Sequence, residues 1–447
     1  MTDPVGYVPK LSNLQQRSLQ YQGLRLPVEI LDEILSYAAL PTLTRLALVS
    51  HTFHEVAARL LYRHVPSLSV SHSTLLVETL ASKPCLAAHT RTCEIGDMSF
   101  LDANRKGLLP PAFFEQLQSA LHNMHRLTEL TFLLNGPTAH VLLGAPFKLT
   151  KLTASCDFDA TFASWLTEQS SLRAAIFCGT FTVGVTLPTD ALPSLRRVTA
   201  SPPALACVVP RRPIRDVDLC LVHPWSLHRE VLQTTIRVIS SSTGPLDSLK
   251  IISHLAEPTD IVLSSLETIP SGLSSITKFA LHAVSGSITN VSNAQMHLGS
   301  PFLRLTACLN VVQEILSGLP SILSRFTALK SVVLFSKNRY DALHIAAGTR
   351  ALAEAWHTQC SSLERVNLPG ATYVHDRNYG WTTPQDLAEL LETRGQMALP
   401  QYCAAVSRKQ EVATAQGETG HVLVRGFKSD LAMERNGSGA SVVAVAA

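Results

Sequence analysis

Two histidine pairs, His51 with His54 and His122 with His125, stand three residues apart, a spacing that puts both imidazoles on one helical face as metal ligands. A zinc site takes about four ligands in closed geometry. Neither pair has cysteine or carboxylate partners at finger spacing, so both read as surface or capping histidines. Cys156 is followed by Asp157 and Asp159; a reactive thiolate needs an electropositive setting, and two neighbouring acids oppose one. The nine cysteines (Cys85, Cys93, Cys156, Cys178, Cys207, Cys220, Cys308, Cys360, Cys403) are odd in number, scattered and free of C-x-x-C pairs. That usage points to free thiols in a reducing compartment, several of them small core residues. No G-x-x-x-x-G-K-[ST] phosphate loop, strand-linked G-x-G-x-x-G, H-E-x-x-H or G-x-S-x-G is present. These absences lower the expectation of an enzyme without removing it, and no catalytic, cofactor-binding or metal-ligating residue is assigned.

What remains is recognition chemistry. Arg196, Arg197, Arg211, Arg212 and Arg215 form a basic run. Solvated loop arginines are the ordinary reading, and a patch for an acidic or phosphorylated ligand is the alternative. Trp165 and Trp356 sit inside apolar helical patterns and read as core, whereas Trp225 and Trp381 follow loop-like residues and are candidates for a partner site. A net charge of +3 is too weak to argue for nucleic acid. No apolar run approaches the roughly 20 residues of a membrane span, and the first 23 residues lack a secretory pattern. A cytoplasmic or nuclear protein with no membrane or nucleic-acid partner is the expectation.

The elements that position these residues fall into two kinds. Residues 24–65 carry three short amphipathic helical patterns behind Leu26-Pro27. Pro27 suits a helix start, because its missing N–H is an orphan donor there and its φ is already helical. The first pattern runs Ile30, Leu31, Ile34, Leu35; the second opens at Pro41-Thr42 and puts Leu43, Leu46 and Ala47 on one face, with Val49 and Ser50 beside them. The third places Phe53, Val56, Ala57, Leu60 and Leu61 at i, i+3, i+4, i+7 and i+8. Thr52 and Glu55 have capping-box spacing, with Ser50 a rival cap. Burying one such side chain is worth about 1.5 to 3 kcal/mol, yet about 40 residues rarely build a self-sufficient core. This segment needs a neighbour.

The order L-P-x-E-I from Leu26, L-x-x-L-x-x-V-S from Leu43, then Phe53 and the closing Leu61-Tyr62, resembles the F-box, and the opening resembles fungal F-box proteins in particular. Phe53 departs from the Trp that many F-boxes carry. The resemblance implies docking to a Skp-family linker, and through it to cullin, by Leu26, Pro27, Ile30, Ile34, Leu43, Leu46, Val49, Phe53 and Leu61. It implies a non-catalytic substrate adaptor of an SCF-type (Skp, cullin, F-box) ubiquitin ligase whose protein substrate is not named by the sequence. An F-box scaffold acting outside the ligase, or an α/β enzyme with an accidental helical head, are the alternatives.

Beyond residue 65 the chain returns to a phrase L-x-x-L-x-L, its first positions 19 to 34 residues apart. It reads Leu127, Leu130, Phe132; Leu149, Leu152, Ala154; Leu172, Ala175, Phe177; Leu195, Val198, Ala200; and Ile214, Val217, Leu219. It continues as Leu246, Leu249, Ile251; Ile276, Phe279, Leu281; Phe302, Leu305, Ala307; Leu329, Val332, Leu334; and Leu363, Val366, Leu368. Helical patterns lie between, over 73–82, 112–121, 160–168, 227–239, 259–268, 311–318, 341–358 and 384–394. Val65 to Val70 and Thr92 to Ile95 could be the first strands, which leaves no floppy linker. Strand and helix in alternation predict parallel strands with helices outside. Residues 90–370 resemble leucine-rich repeats, although only Asn135 and Asn310 supply the turning asparagine. The expected class is α/β: a disordered N-terminus over 1–23, an F-box over 24–65, an irregular leucine-rich-repeat-like solenoid over 66–400, and a disordered tail over 401–447.

Overall fold

A computed structural model describes residues 26–96, 109–221, 227–253, 259–283, 315–336, 349–368 and 371–393. The phrase Phe302, Leu305, Ala307, with Trp225, Cys308, Cys403 and both terminal segments read as disordered, lies outside them. The chain opens with α1 (Val28–Ser36), α2 (Leu40–Leu46) and α3 (His51–Arg63). From there it is a mixed α/β structure whose thirteen described strands join one sheet in chain order.

The repeated phrase is a register mark. β1 (His64–Val65) and β2 (Thr92–Ile95) begin the sheet, followed by β3 (Glu129–Phe132), β4 (Lys151–Ala154), β5 (Ala174–Phe177), β6 (Arg197–Ala200) and β7 (Asp216–Leu221). β8 (Ser248–Ser253), β9 (Lys278–Ala283), β10 (Ser331–Ser336) and β11 (Arg365–Leu368) complete the parallel part. The second positions of nine phrases stand opposite one another from strand to strand: Leu130, Leu152, Ala175, Val198, Val217, Leu249, Phe279, Val332 and Val366. Successive side chains alternate faces, so one apolar row enters the core as a unit, and every member is buried. β9 pairs directly with β10, Lys278 opposite Ser331.

Parallel strands need crossovers. α4 (Val70–Ser82) and α6 (Pro111–Asn123) pack on each other over the first of them, joined by the short α5 (Pro84–Ala87). Phe158 packs edge-on against Phe162 of α7 (Ala160–Thr167) and against Phe177 at 5.4 and 5.3 Å between ring centroids, and Trp165 of the same helix stacks on Phe162. Trp165 and Trp356 are fully buried, as their patterns predict. Two turns that lack the repeat asparagine use neighbouring backbone instead: the amides of Ser155 and Cys178 donate to the Phe132 and Ala154 carbonyls on the preceding rungs.

Two members of the basic run are not free surface charges. Arg212 is buried and holds carbonyls at the end of α8 (Pro202–Val208), while Arg197 pairs with Asp216 at 3.5 Å across β6 and β7. Trp381 is also a correction to its reading as a partner-site residue, because it is buried in β13. β12 (Ala371–Asp376) turns back antiparallel on β11, and β13 (Gly380–Thr382) follows through a turn in which the Asn378 amide donates to Asp376. His375 of β12 stacks on His357 at 4.1 Å and lies 5.3 Å from Trp381.

Burial, and then the neighbouring His357, pull the His375 pKa below its ordinary value, against a smaller opposing effect of Asp376. The unfolded chain therefore binds this proton more tightly than the folded one. The hairpin's stability is whole above the ordinary histidine value of about 6.5 and is lost as pH falls through the lower folded value. Exchange of the His375 amide, which donates to the Glu364 carbonyl at 2.8 Å, should speed up on acidification after correction for intrinsic rates. In His375→Phe that extra acceleration should vanish; an unchanged profile in the variant would refute the assignment.

Candidate docking surface

The three N-terminal helices have more apolar faces than they can cover. α1 starts where the Pro27 carbonyl accepts from the amides of Ile30 and Leu31, both at 3.0 Å. Ser50, not Thr52, caps α3, its hydroxyl accepting from the Phe53 amide at 3.3 Å. An Arg59–Asp32 ion pair at 2.7 Å ties α3 to α1. Leu35, Leu43, Val56 and Ala57 form a core of their own, with Ala38, Leu46, Ala47, Phe53, Leu60 and Leu61 packed around it half-buried.

On α1 the four expected apolar residues split. Leu31 and Leu35 turn inward, while Ile30 and Ile34, one turn apart, face solvent, Ile34 at 52% exposure. Leu26 and Pro27 are exposed at the start of the helix, and Val49 is 65% exposed in the turn between α2 and α3. Of the nine residues expected to dock a linker, Leu26, Pro27, Ile30, Ile34 and Val49 are thus open to solvent, and Leu46, Phe53 and Leu61 are half-buried. Leu43 is a correction: at 4% exposure it belongs to the three-helix core, held there by its place on the inner face of α2. Four exposed apolar residues were missed: Val28, Tyr37, Leu40 and Leu48, Tyr37 and Leu48 each above 80%. Part of their signal was present in the sequence, since Leu40 opens α2 and Leu48 lies just past its end, both off the face that Leu43 and Leu46 turn to the core.

The head has no flexible hinge to the sheet. α3 ends at Arg63 and β1 begins at His64, which pairs with Thr92 of β2 through both backbone register and a 2.8 Å contact between His64 Nδ1 and Thr92 Oγ1. The Arg91 amide donates to the Arg63 carbonyl at 2.9 Å, and the Ser67 amide to the Glu94 carboxylate at 3.2 Å. Val65 is buried in the large core and Tyr62 packs against it, where burial raises its phenol pKa.

Two buried cysteines among the described residues are poor nucleophiles. Burial, with Asp159 and Asp157 beyond it, raises the Cys156 thiol far above its ordinary value, and burial followed by Glu94 raises Cys93 to about 12. His54 turns its Nδ1 to the Ala47 carbonyl at 3.2 Å and His122 to the Gln118 carbonyl at 2.7 Å, so each closes a local bond. The surface can therefore do one thing well, which is to bury apolar area against a second polypeptide. Residues 24–65 match the family model F-box-like. No curated protein matches the chain.

Proposed function

From an F-box-like domain at residues 24–65, we propose that this protein is the substrate-recognition adaptor of an SCF-type ubiquitin ligase. The head docks a Skp-family linker, the linker brings cullin, and the sheet, read as a degenerate leucine-rich-repeat-like solenoid, holds a protein target. The observation that carries the proposal is the set of open apolar side chains Leu26, Ile30, Ile34, Leu48 and Val49, on and beside helices whose inner faces are packed. Such an adaptor breaks no bond itself. It fixes a target lysine near a ubiquitin thioester, and the rise in effective concentration is its contribution to rate. Its place of work is the cytoplasm or the nucleus, where that machinery is found.

The rigid junction supports the same reading. A target held on the sheet keeps one orientation toward whatever the head binds, because α3 runs into β1 without a linker. Purified full-length chain mixed with a Skp-family linker is expected to elute as one complex, and added cullin to join it. Separate elution of chain and linker would overturn the proposal.

A further inference from the structure

The turn before each parallel strand places one residue on a continuous backbone ladder. The Arg196 amide donates to the Arg173 carbonyl at 2.9 Å, the Arg215 amide to Arg196 at 2.7 Å, and the Asp247 amide to Arg215 at 2.8 Å. Three successive rungs therefore carry arginine, with Thr150 on the rung before and Asp247 on the rung after. All three arginines are exposed, and none has an ion pair or side-chain hydrogen bond among the described residues. The nearest acid on the adjoining strand positions, Asp216, is engaged by Arg197. Rungs lie about 4.8 Å apart, so the three arginine backbones span roughly 10 Å, and no acidic residue stands on the rungs between them. Unpaired arginines at that density repel one another unless an anion joins them.

We infer that the column Arg173, Arg196 and Arg215 is the docking site for a carboxylate-rich, extended segment of a protein partner. The inference rests on the reading of the sheet as the target-holding half. An extended chain presents same-face side chains about 6.6 Å apart, so two to three carboxylates match the column, and each guanidinium can take one in a forked pair. Single-stranded nucleic acid fits less well. It needs aromatic platforms beside the charges, and neither the rungs from Thr150 to Asp247 nor the strand positions Lys151, Ala174, Arg197, Asp216 and Ser248 carry one. Asp247 ends the column and sets its length at three.

The test uses full-length chain and a fluorescein-labelled octaglutamate peptide, read by anisotropy at low salt. Arg173→Ala with Arg196→Ala and Arg215→Ala should weaken binding about tenfold or more. The triple Lys83→Ala, Arg229→Ala, Arg237→Ala removes the same net charge from exposed positions off the column and should leave affinity within about twofold. Arg173→Lys, Arg196→Lys, Arg215→Lys keeps the charge but not the fork, and should bind between the parent and the alanine triple. Equal losses in both alanine triples, or a lysine triple as weak as the alanine one, would overturn the inference. So would tighter binding of a single-stranded oligonucleotide of the same charge. Linker binding by the same variants reads the head separately: a chain that never binds linker fails the adaptor proposal, whereas a column variant that binds linker but not peptide is the result expected here.

Discussion

Replacing Ile30 and Ile34 together by aspartate should abolish linker binding while leaving the chain as stable as before. Both side chains are about half exposed in the free protein, so their loss removes little from the folded state. In a complex each would contribute about 1.5 to 3 kcal/mol of apolar burial, and each new carboxylate would have to shed water without a partner. The combined loss of at least about 3 kcal/mol weakens binding by more than about a hundredfold. Co-elution with the linker and a thermal melt, measured side by side, check both halves of the statement. Leu43→Asp makes the contrast: it puts a charge into the cluster of Leu35, Val56 and Ala57 and should unfold the head, so a loss of linker binding there says nothing about contact. Undiminished binding by the Ile30/Ile34 variant would remove this face from the interface.

Arg212→Met should destabilise the protein by about 3 kcal/mol or more. The side chain is 2% exposed, and its Nε donates to the Ala191 carbonyl at 2.8 Å. Nη1 reaches Cys207, Val208 and Pro210 carbonyls at 3.3, 3.0 and 3.0 Å, and Nη2 reaches Pro188 at 2.6 Å. Three of those carbonyls lie at the C-terminal end of α8, where helical acceptors are left over and negative partial charge collects. One guanidinium thus satisfies five acceptors from two segments, and removing it leaves buried carbonyls without donors, at about 1 to 3 kcal/mol each. Lysine should not rescue, since three donors on one nitrogen cannot span the fork. A denaturant midpoint within experimental error of the parent would refute the assignment.

The strand register was readable in advance because burial writes itself into a parallel strand twice. The phrase Leu130-x-Phe132 marks the inward face, and its recurrence at Leu152, Val217 and Val366 marks which residues stand opposite. The helices were readable for the same reason, α6 from its apolar period and α3 from its unbroken one. Four things were not. Arg212 looked like its neighbours because its partners are backbone carbonyls, which leave no trace in side-chain identity. On α1, periodicity identifies Ile30, Leu31, Ile34 and Leu35 as apolar without saying which pair faces inward; only the position of α3 decides that. Trp381 followed polar residues because the Asn378 and Gly380 turn of a hairpin precedes it, and that turn signal outranks the local polarity. The arginine column is a contact between repeats, formed by residues about 20 positions apart, and appears only once the register is known.

The direct join of α3 to β1 also governs how this protein can be cut. His64 and Val65 supply the hydrogen bonds that β2 would otherwise lack on that side. A fragment starting after residue 65 would bare the Thr92–Cys93 backbone as an unprotected sheet edge, a template for pairing with another copy. Such a truncation would self-associate for reasons unrelated to ligase assembly, and the head therefore shields its own sheet from aggregation as well as offering a face to a partner.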